Sequence, residues 1–121
     1  MRLTTLLLAI GLGMTARVSA QTFARDVAPL LQKNCQECHR TGQAAPFSML
    51  TYDQVRPWAK AIKAAVIQKK MPPWFADPQC GHFENDPSLK AREIDTISKW
   101  ADSGAPKGDD KDAPPPTQWA E

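Results

Sequence analysis

Cysteine and histidine, two residue types that attach or ligate cofactors, stand together in the string Cys35-Gln36-Glu37-Cys38-His39. The string matches C-x-x-C-H, the attachment pattern of haem c (heme c). Each thiol can add to one vinyl group of the haem, and the adjacent histidine is then held beneath the iron as an axial ligand. The pattern predicts one covalent haem c, bound by Cys35, Cys38 and His39.

Two other kinds of site use a C-x-x-C pair. A zinc site would need two further ligands, and the rest of the chain offers only Cys80 and His82, far along the sequence. A thioredoxin-like redox pair follows a β-strand, and no strand pattern precedes Cys35. The haem interpretation is therefore favoured over both.

The opposite side of a haem iron needs a second ligand or an open position. The candidates in the mature chain are Met49, Met71 and His82. Met49 lies in the apolar run 46–50, where a packed core side chain is the better interpretation. Met71 follows a helical pattern and precedes Pro-Pro-Trp, which stiffens the backbone and supplies a ring to cover the haem. Met71 is the favoured distal ligand, and His82 is the alternative.

Three helices are predicted to position these residues. Asp26 can cap the first, which carries Pro29 in its first turn and runs into Cys35. Thr51 opens the second, with Gln54 at the capping-box spacing and Pro57 as the expected kink. The expected buried stripes of these two helices are Val27, Leu30 and Leu31, and then Val55, Trp58, Ala59, Ile62 and Val66.

The third helix is expected from about Lys90 to Ser103, with Gly104 and Pro106 as its stop. Its apolar face would be Ile94, Ile97, Trp100 and Ala101. The stretches 41–50 and 71–89 are predicted loops. A loop as long as the second is unusual in a compact domain unless it has a task, and wrapping a cofactor is such a task.

Residues 1–20 have the pattern of a secretory signal, with Arg2 as the positive start and Val18-Ser19-Ala20 as the cleavage site. We expect a mature domain at 21–108, periplasmic or otherwise exported and without a membrane span. Residues 109–121 are interpreted as a Pro-rich mobile tail or a truncated linker.

The charge balance excludes one class of partner. Without Arg2 and Arg17 the fifteen Lys and Arg become thirteen, which equals the thirteen Asp and Glu. A nucleic-acid binder would show a basic excess, so no nucleic-acid partner is expected. The cysteines number three, an odd count that suggests a use other than disulfide pairing for two of them.

Several stretches together resemble a known family. They are the segment 23–31, the C-x-x-C-H string, Ala45-Pro46-Phe47-Ser48, Lys70-Met71-Pro72-Pro73-Trp74, and Ile97-x-x-Trp100-x-x-x-Gly104-Ala105-Pro106. The chain resembles, over nearly all of 23–108, the haem c domain of a bacterial family of exported cytochrome c-like proteins. In that family such a domain can precede larger redox domains, some of them similar to copper-dependent monooxygenases.

The resemblance implies an all-α, class I cytochrome c-like fold, with three main helices and long loops wrapped around one covalent haem. It also implies that the first and last helices cross and that His39 and Met71 are the axial ligands. Two features depart from the family pattern. Lys90 stands where a Ser or Thr cap is expected, so Ser88 is an alternative cap. The chain also stops at Glu121, where relatives often continue.

The expected function is one-electron transfer, because a methionine opposite histidine leaves no open coordination position. We expect no enzymatic activity and no catalytic residue. The alternatives are a haem sensor or peroxidase-like module, and the haem module of a longer redox enzyme. Redox partner proteins are expected, and a lysine cluster of Lys60, Lys63, Lys69 and Lys70 is either a solvated helix face or their docking site near Lys69 and Lys70.

Overall fold

The computed structural model describes residues 19–120, and this part of the chain contains helices and turns but no β-strand. The expected all-α class is therefore confirmed. The predicted signal at 1–20 lies almost wholly outside the described residues. The main helices are α1 (Ala28–Asn34), α2 (Tyr52–Val55), α3 (Ala59–Ile67) and α4 (Ala91–Asp102). A π-helical turn at Phe23–Val27 precedes α1, and 3₁₀ turns lie at Arg56–Trp58, Pro78–Cys80 and Asp110–Asp112.

The first helical segment begins earlier than predicted. Its cap is Thr22, whose hydroxyl accepts from the backbone N–H of Arg25, and the predicted cap Asp26 lies inside the first turn. The Asp26 carboxylate accepts from the backbone N–H of Thr22 at 2.7 Å. The two residues thus cap each other, because a carboxylate in the first turn can reach back to the free N–H before the helix. The predicted cap at Asp26 was wrong.

The second predicted helix is split by its proline. Thr51 and Gln54 form the expected capping box at the start of α2. Pro57 then sits in the 3₁₀ turn that separates α2 from α3, which confirms the predicted kink. The turn rotates Trp58 out of the buried stripe, so its side chain is 45% exposed and the prediction that Trp58 is buried was wrong.

Helix α4 begins after Lys90, and Ser88 is not its cap. The Glu93 carboxylate accepts from the backbone N–H of Lys90 at 2.7 Å, which supplies the part of a capping box that does not need a hydroxyl. The backbone N–H of Ser88 instead donates to the Asp86 carboxylate at 2.8 Å. The other half, in which a Ser or Thr hydroxyl accepts from the third helical N–H, is absent, and the N–H of Glu93 donates to the Lys90 carbonyl at 2.9 Å instead.

The core lies between the first helical segment, α3 and α4. Trp100 is fully buried, its ring centroid is 6.2 Å from that of Phe23, and its indole N–H donates to the Pro106 carbonyl at 3.0 Å. Helix α3 packs against α4. The buried apolar side chains of this core include Phe23, Val27, Leu31, Met49, Val55, Ala59, Ile62, Val66, Ile97, Trp100 and Ala101.

Helices α3 and α4 end in the same kind of turn but with different residues. After α3, Lys69 has φ +54 and the N–H of Lys70 donates to the Ala65 carbonyl. After α4, Gly104 has φ +92 and the next N–H donates to the Trp100 carbonyl. Both are Schellman turns, which favour glycine at the left-handed position. Lysine at this position of α3 strains the backbone just before Met71.

The segment after α4 lies along the first helical segment. The backbone N–H of Phe23 donates to the Pro106 carbonyl at 2.9 Å, and the side-chain amide of Gln32 donates to the Pro115 carbonyl at 2.9 Å. The mobility expected of 109–121 stays a prediction, and Glu121 lies outside the described residues. In the described residues no helix is both long enough and apolar enough to span a membrane.

Candidate functional site

The two cysteines and the histidine of the C-x-x-C-H string are brought together by one turn at the end of α1. Cys35 follows the last helical residue, and its carbonyl accepts from the N–H of Cys38 at 3.2 Å and from the N–H of His39 at 2.9 Å. Both thiols are free. Cys35 packs against the core, whereas Cys38 is exposed.

The His39 ring is buried, at 8% exposure, and is fixed by one hydrogen bond. Its Nδ1 lies 3.0 Å from the backbone carbonyl oxygen of Phe47. Because a carbonyl can only accept, Nδ1 must carry the proton. In the neutral ring Nε2 therefore keeps a free lone pair, which is the form in which histidine binds a metal.

The loop 41–50 folds back onto the C-x-x-C-H turn. The N–H of Met49 donates to the His39 carbonyl at 2.8 Å, and the buried Gln36 side chain donates to the Met49 carbonyl at 2.9 Å. Met49 itself is 5% exposed and belongs to the core cluster. Its expected role as a packed core side chain is confirmed.

Two aromatic rings extend from His39 towards the surface. The Phe47 ring centroid lies 4.8 Å from that of His39 in an edge-on arrangement. The Trp58 ring stacks on Phe47 at 4.5 Å with an interplanar angle of 16°. The Phe47–Trp58 pair was not predicted, because helical periodicity placed Trp58 in the core stripe. No sequence pattern shows which backbone carbonyl will accept a hydrogen bond from a histidine.

Met71 lies on the rim of a cavity of about 330 Å³ and is 43% exposed. The cavity is lined by Met71 but by none of the three motif residues. The other apolar lining residues include Val66, Trp74, Leu89 and Ile94.

Cys80 and His82, the remaining thiol and the alternative ligand, are both exposed in the loop 71–89. Across residues 19–120 no group of three or more His, Cys, Asp or Glu side chains is placed to hold a metal ion. A zinc site would need such a group, so the described residues do not support the zinc interpretation. A haem iron with one histidine and one methionine does not need one.

Burial sets the acidity of one thiol. Burial, with a smaller contribution from neighbouring Cys38, raises the pKa of the Cys35 thiol from its ordinary value of 9.0 to about 11. Cys35 is therefore a neutral thiol at physiological pH. A neutral, core-packed thiol resists oxidation and alkylation better than an exposed one.

The end of the described chain reaches the site. The Arg40 guanidinium, one residue after His39, lies over the Trp119 ring at 4.4 Å from its centroid. Arg40 Nε is buried without a hydrogen-bond partner. The Trp119 contact was not predicted for the segment 109–121, because a proline-rich segment gives no periodicity from which a tertiary contact can be predicted.

Comparisons with models of protein families, with curated proteins and with solved structures found no match to this chain.

Proposed function

We propose that the chain is a single-haem c-type cytochrome domain that transfers one electron at a time. The observation that carries this proposal is the arrangement of His39. Its Nδ1 donates to the Phe47 carbonyl, and it directly follows a C-x-x-C pair whose two thiols are free. An imidazole held in this way presents Nε2 as a ligand.

The side chains around the site fit a haem. Cys35 and Cys38 carry the free thiols that thioether attachment needs, and they stand on a turn that also fixes His39. The cavity beside Met71 has apolar lining residues, among them Trp74 and Leu89, that suit the apolar edge of a porphyrin, and charged residues, Lys69 and Asp86, beside them. Met71 is the distal ligand that we propose, with His82 as the alternative.

The arrangement of helices supports a class I cytochrome c-like fold as part of the proposal. The first helical segment packs against the last helix, as the Phe23 and Trp100 rings show. The kinked second helix and the long loop 71–89 lie between these two helices in sequence. This order of elements is the one that the family resemblance implies.

A haem with histidine and methionine ligands supplies a reversible iron couple of raised reduction potential and no open coordination position. His39 and Met71 would hold the iron, and Cys35 and Cys38 would fix the ring. The buried core would exclude water from one side. These roles suit an electron carrier without enzymatic activity.

One observation favours a second candidate, a haem sensor or peroxidase-like module. Met71 is exposed and does not share a cavity wall with His39. Carbon monoxide titration of the ferrous protein separates the two functions. We expect little or no carbon monoxide binding to the wild type, since Met71 would occupy the iron. Fast, tight binding would favour the sensor or peroxidase-like function over electron transfer.

The proposed site of action is the periplasm or another exported location, and the proposed partner is an acidic redox protein. Lys63 is paired with Asp102 at 2.6 Å, whereas Lys60, Lys69 and Lys70 are exposed. Lys69 also lines the Met71 cavity, which places charge beside the proposed ligand.

Stopped-flow electron transfer at several salt concentrations tests this docking surface. Exposed charges are screened over about 8 to 10 Å at ordinary ionic strength, so the rate should fall as salt rises. Lys69→Gln with Lys70→Gln should weaken the salt dependence. The matched control, Lys107→Gln with Lys111→Gln, should leave it intact, and a rate that ignores salt would refute docking through these lysines.

The third alternative is that the domain is the haem module of a longer redox enzyme. Sequencing the gene beyond the codon for Glu121 tests it. A continuous reading frame into a second domain would make the electron partner a covalent neighbour.

A further inference from the structure

The proposed iron ligand His39 is held by a single side-chain hydrogen bond, so whatever fixes its acceptor also fixes the ligand. That acceptor is the carbonyl of Phe47, in the loop 41–50. No regular helix or strand orients this carbonyl. Backbone hydrogen bonds tie the loop to the C-x-x-C-H turn two residues before and two residues after Phe47, from Ala45 to Cys38 and from Met49 to His39.

The Phe47 side chain is the part of this loop residue that has a large neighbour outside the loop. The Trp58 ring stacks on it at 4.5 Å and nearly parallel. Stacking restrains the tilt of the Phe47 ring, and that ring packs edge-on against the His39 ring at 4.8 Å.

Pro57 explains why Trp58 is in the right place. A continuous helix would have placed Trp58 on the buried stripe with Val55 and Ile62. The 3₁₀ turn Arg56–Trp58 rotates the indole off that stripe and onto Phe47, at 45% exposure. The contact that Trp58 makes in this position is the stacking on Phe47.

We propose that Trp58 is a positioning residue for His39, acting through the ring and the backbone carbonyl of Phe47. This inference rests on the proposed function, because it treats His39 as the iron ligand. Trp58 stacks on Phe47, and the Phe47 ring in turn packs edge-on against His39. Trp58 reduces the motion of the hydrogen-bond acceptor and so keeps the imidazole in one tautomer and one orientation.

The test is solvent exchange of the His39 Nδ1 proton, measured by NMR on the ferrous holoprotein. In Trp58→Ala the exchange should speed up by on the order of tenfold, because the hydrogen bond opens more often. Trp58→Phe keeps an aromatic plane and should stay near the wild-type rate. Trp58→Leu keeps apolar cover without a plane and should behave like Trp58→Ala, which guards against poor folding of the alanine variant.

Phe75→Ala is the control, because Phe75 is an aromatic residue that is 97% exposed and does not line the Met71 cavity. It should leave the His39 exchange rate unchanged. An unchanged rate in both Trp58→Ala and Trp58→Leu overturns the positioning role while the haem spectrum still supports the cytochrome. Exported protein without haem overturns the proposed function and this inference together.

Discussion

The segment 35–49 and the loop 71–89 supply the two proposed iron ligands, and they are held in different ways. In 35–49 the hydrogen bonds connect the C-x-x-C-H turn with the loop that follows it, as in Ala45 to Cys38 and Met49 to His39. Within the described chain, the bonds of 71–89 beyond Met71 join residues only two or three positions apart, such as Cys80 to Asp77. Phe75 in this loop is 97% exposed.

The two segments therefore differ in how much the fold stabilises them. The histidine side is built by the polypeptide itself, through a turn that closes on its own loop. The methionine side is a long connection that the rest of the fold restrains little, and such segments have low local stability. We therefore expect that truncating a packed side chain in 35–49 mainly lowers the free energy of unfolding. Replacing the proposed ligand in 71–89 should mainly change the reduction potential of the iron.

The largest expected effect is that of Met71→Ala. A thioether ligand stabilises ferrous iron, so its loss should lower the reduction potential by on the order of 100 mV, within the roughly 0.8 V range that axial ligands span. The iron should also become open to carbon monoxide. Redox titration and the weak far-red charge-transfer band of the oxidised protein report both changes, and survival of that band in the variant would assign the ligand elsewhere, with His82 next to test.

Met49→Ala is the control, since it removes the same side chain from the other region. Met49 is buried in the core, and its truncation should lower the free energy of unfolding by about 2 to 5 kcal/mol. The reduction potential and the far-red band should stay as in the wild type. A large shift of the reduction potential in this variant would contradict the assignment of Met49 to the core and of the ligand to the loop 71–89.

The next prediction concerns Cys35 in protein produced without export and hence without haem. Its pKa of about 11 against the ordinary 9.0 lowers the thiolate fraction near neutral pH about 100-fold. Iodoacetamide should therefore modify Cys38 and Cys80 well before Cys35, as peptide mass mapping over time will show. In concentrated urea the three rates should converge. Equal rates without urea would show that the Cys35 side is not preformed.

The same thiol gives a pH dependence to this haem-free protein. The pKa is higher in the folded than in the unfolded chain, so the stabilisation is complete below about pH 9 and is lost as pH rises towards 11. The loss should approach about 3 kcal/mol, since each unit of pKa corresponds to about 1.4 kcal/mol. Urea unfolding at pH 8 and pH 11 measures it, with Cys35→Ser as the control that lacks this component.

The smallest expected effect lies at the start of the methionine loop. Lys69→Gly should raise the free energy of unfolding by about 0.5 to 1 kcal/mol, because relief of the positive φ outweighs the added freedom of the unfolded chain. Gly104→Ala at the matching position of α4 should lower the free energy of unfolding, because its φ of +92 is strained for alanine even though the added Cβ would meet nothing within 4 Å. Lys69→Ala should give no gain, which separates backbone strain from loss of charge.

The sequence was sufficient to predict the features that depend on neighbouring residues. Helical periodicity predicted α3 and α4, and the Thr51–Gln54 spacing predicted the capping box. Errors arose where two residues could serve equally well, as with Asp26 and Thr22 at the first helix. The position of Trp58 was missed because the 3₁₀ turn changes the rotation per residue after Pro57.

Long-range features could not be predicted from the sequence. The Phe47 carbonyl that holds His39 is a backbone group, and every residue but its neighbours could have offered the same atom. Likewise, the contact of Trp119 with Arg40 joins positions far apart along the chain. Such pairings are set by how whole segments pack, which a single sequence does not encode in any local pattern.

The proposed covalent haem is tested by the pyridine haemochrome spectrum and the intact mass of the chain, expressed with residues 1–20 included in a host that exports proteins and attaches haem c. We predict the haemochrome band of a doubly thioether-linked haem and a mass increase of one haem per chain. Cys35→Ser with Cys38→Ser should abolish both, while Cys80→Ser should change neither. A wild-type protein without covalent haem, or a variant that keeps covalent haem after loss of Cys35 and Cys38, would contradict the proposed haem attachment.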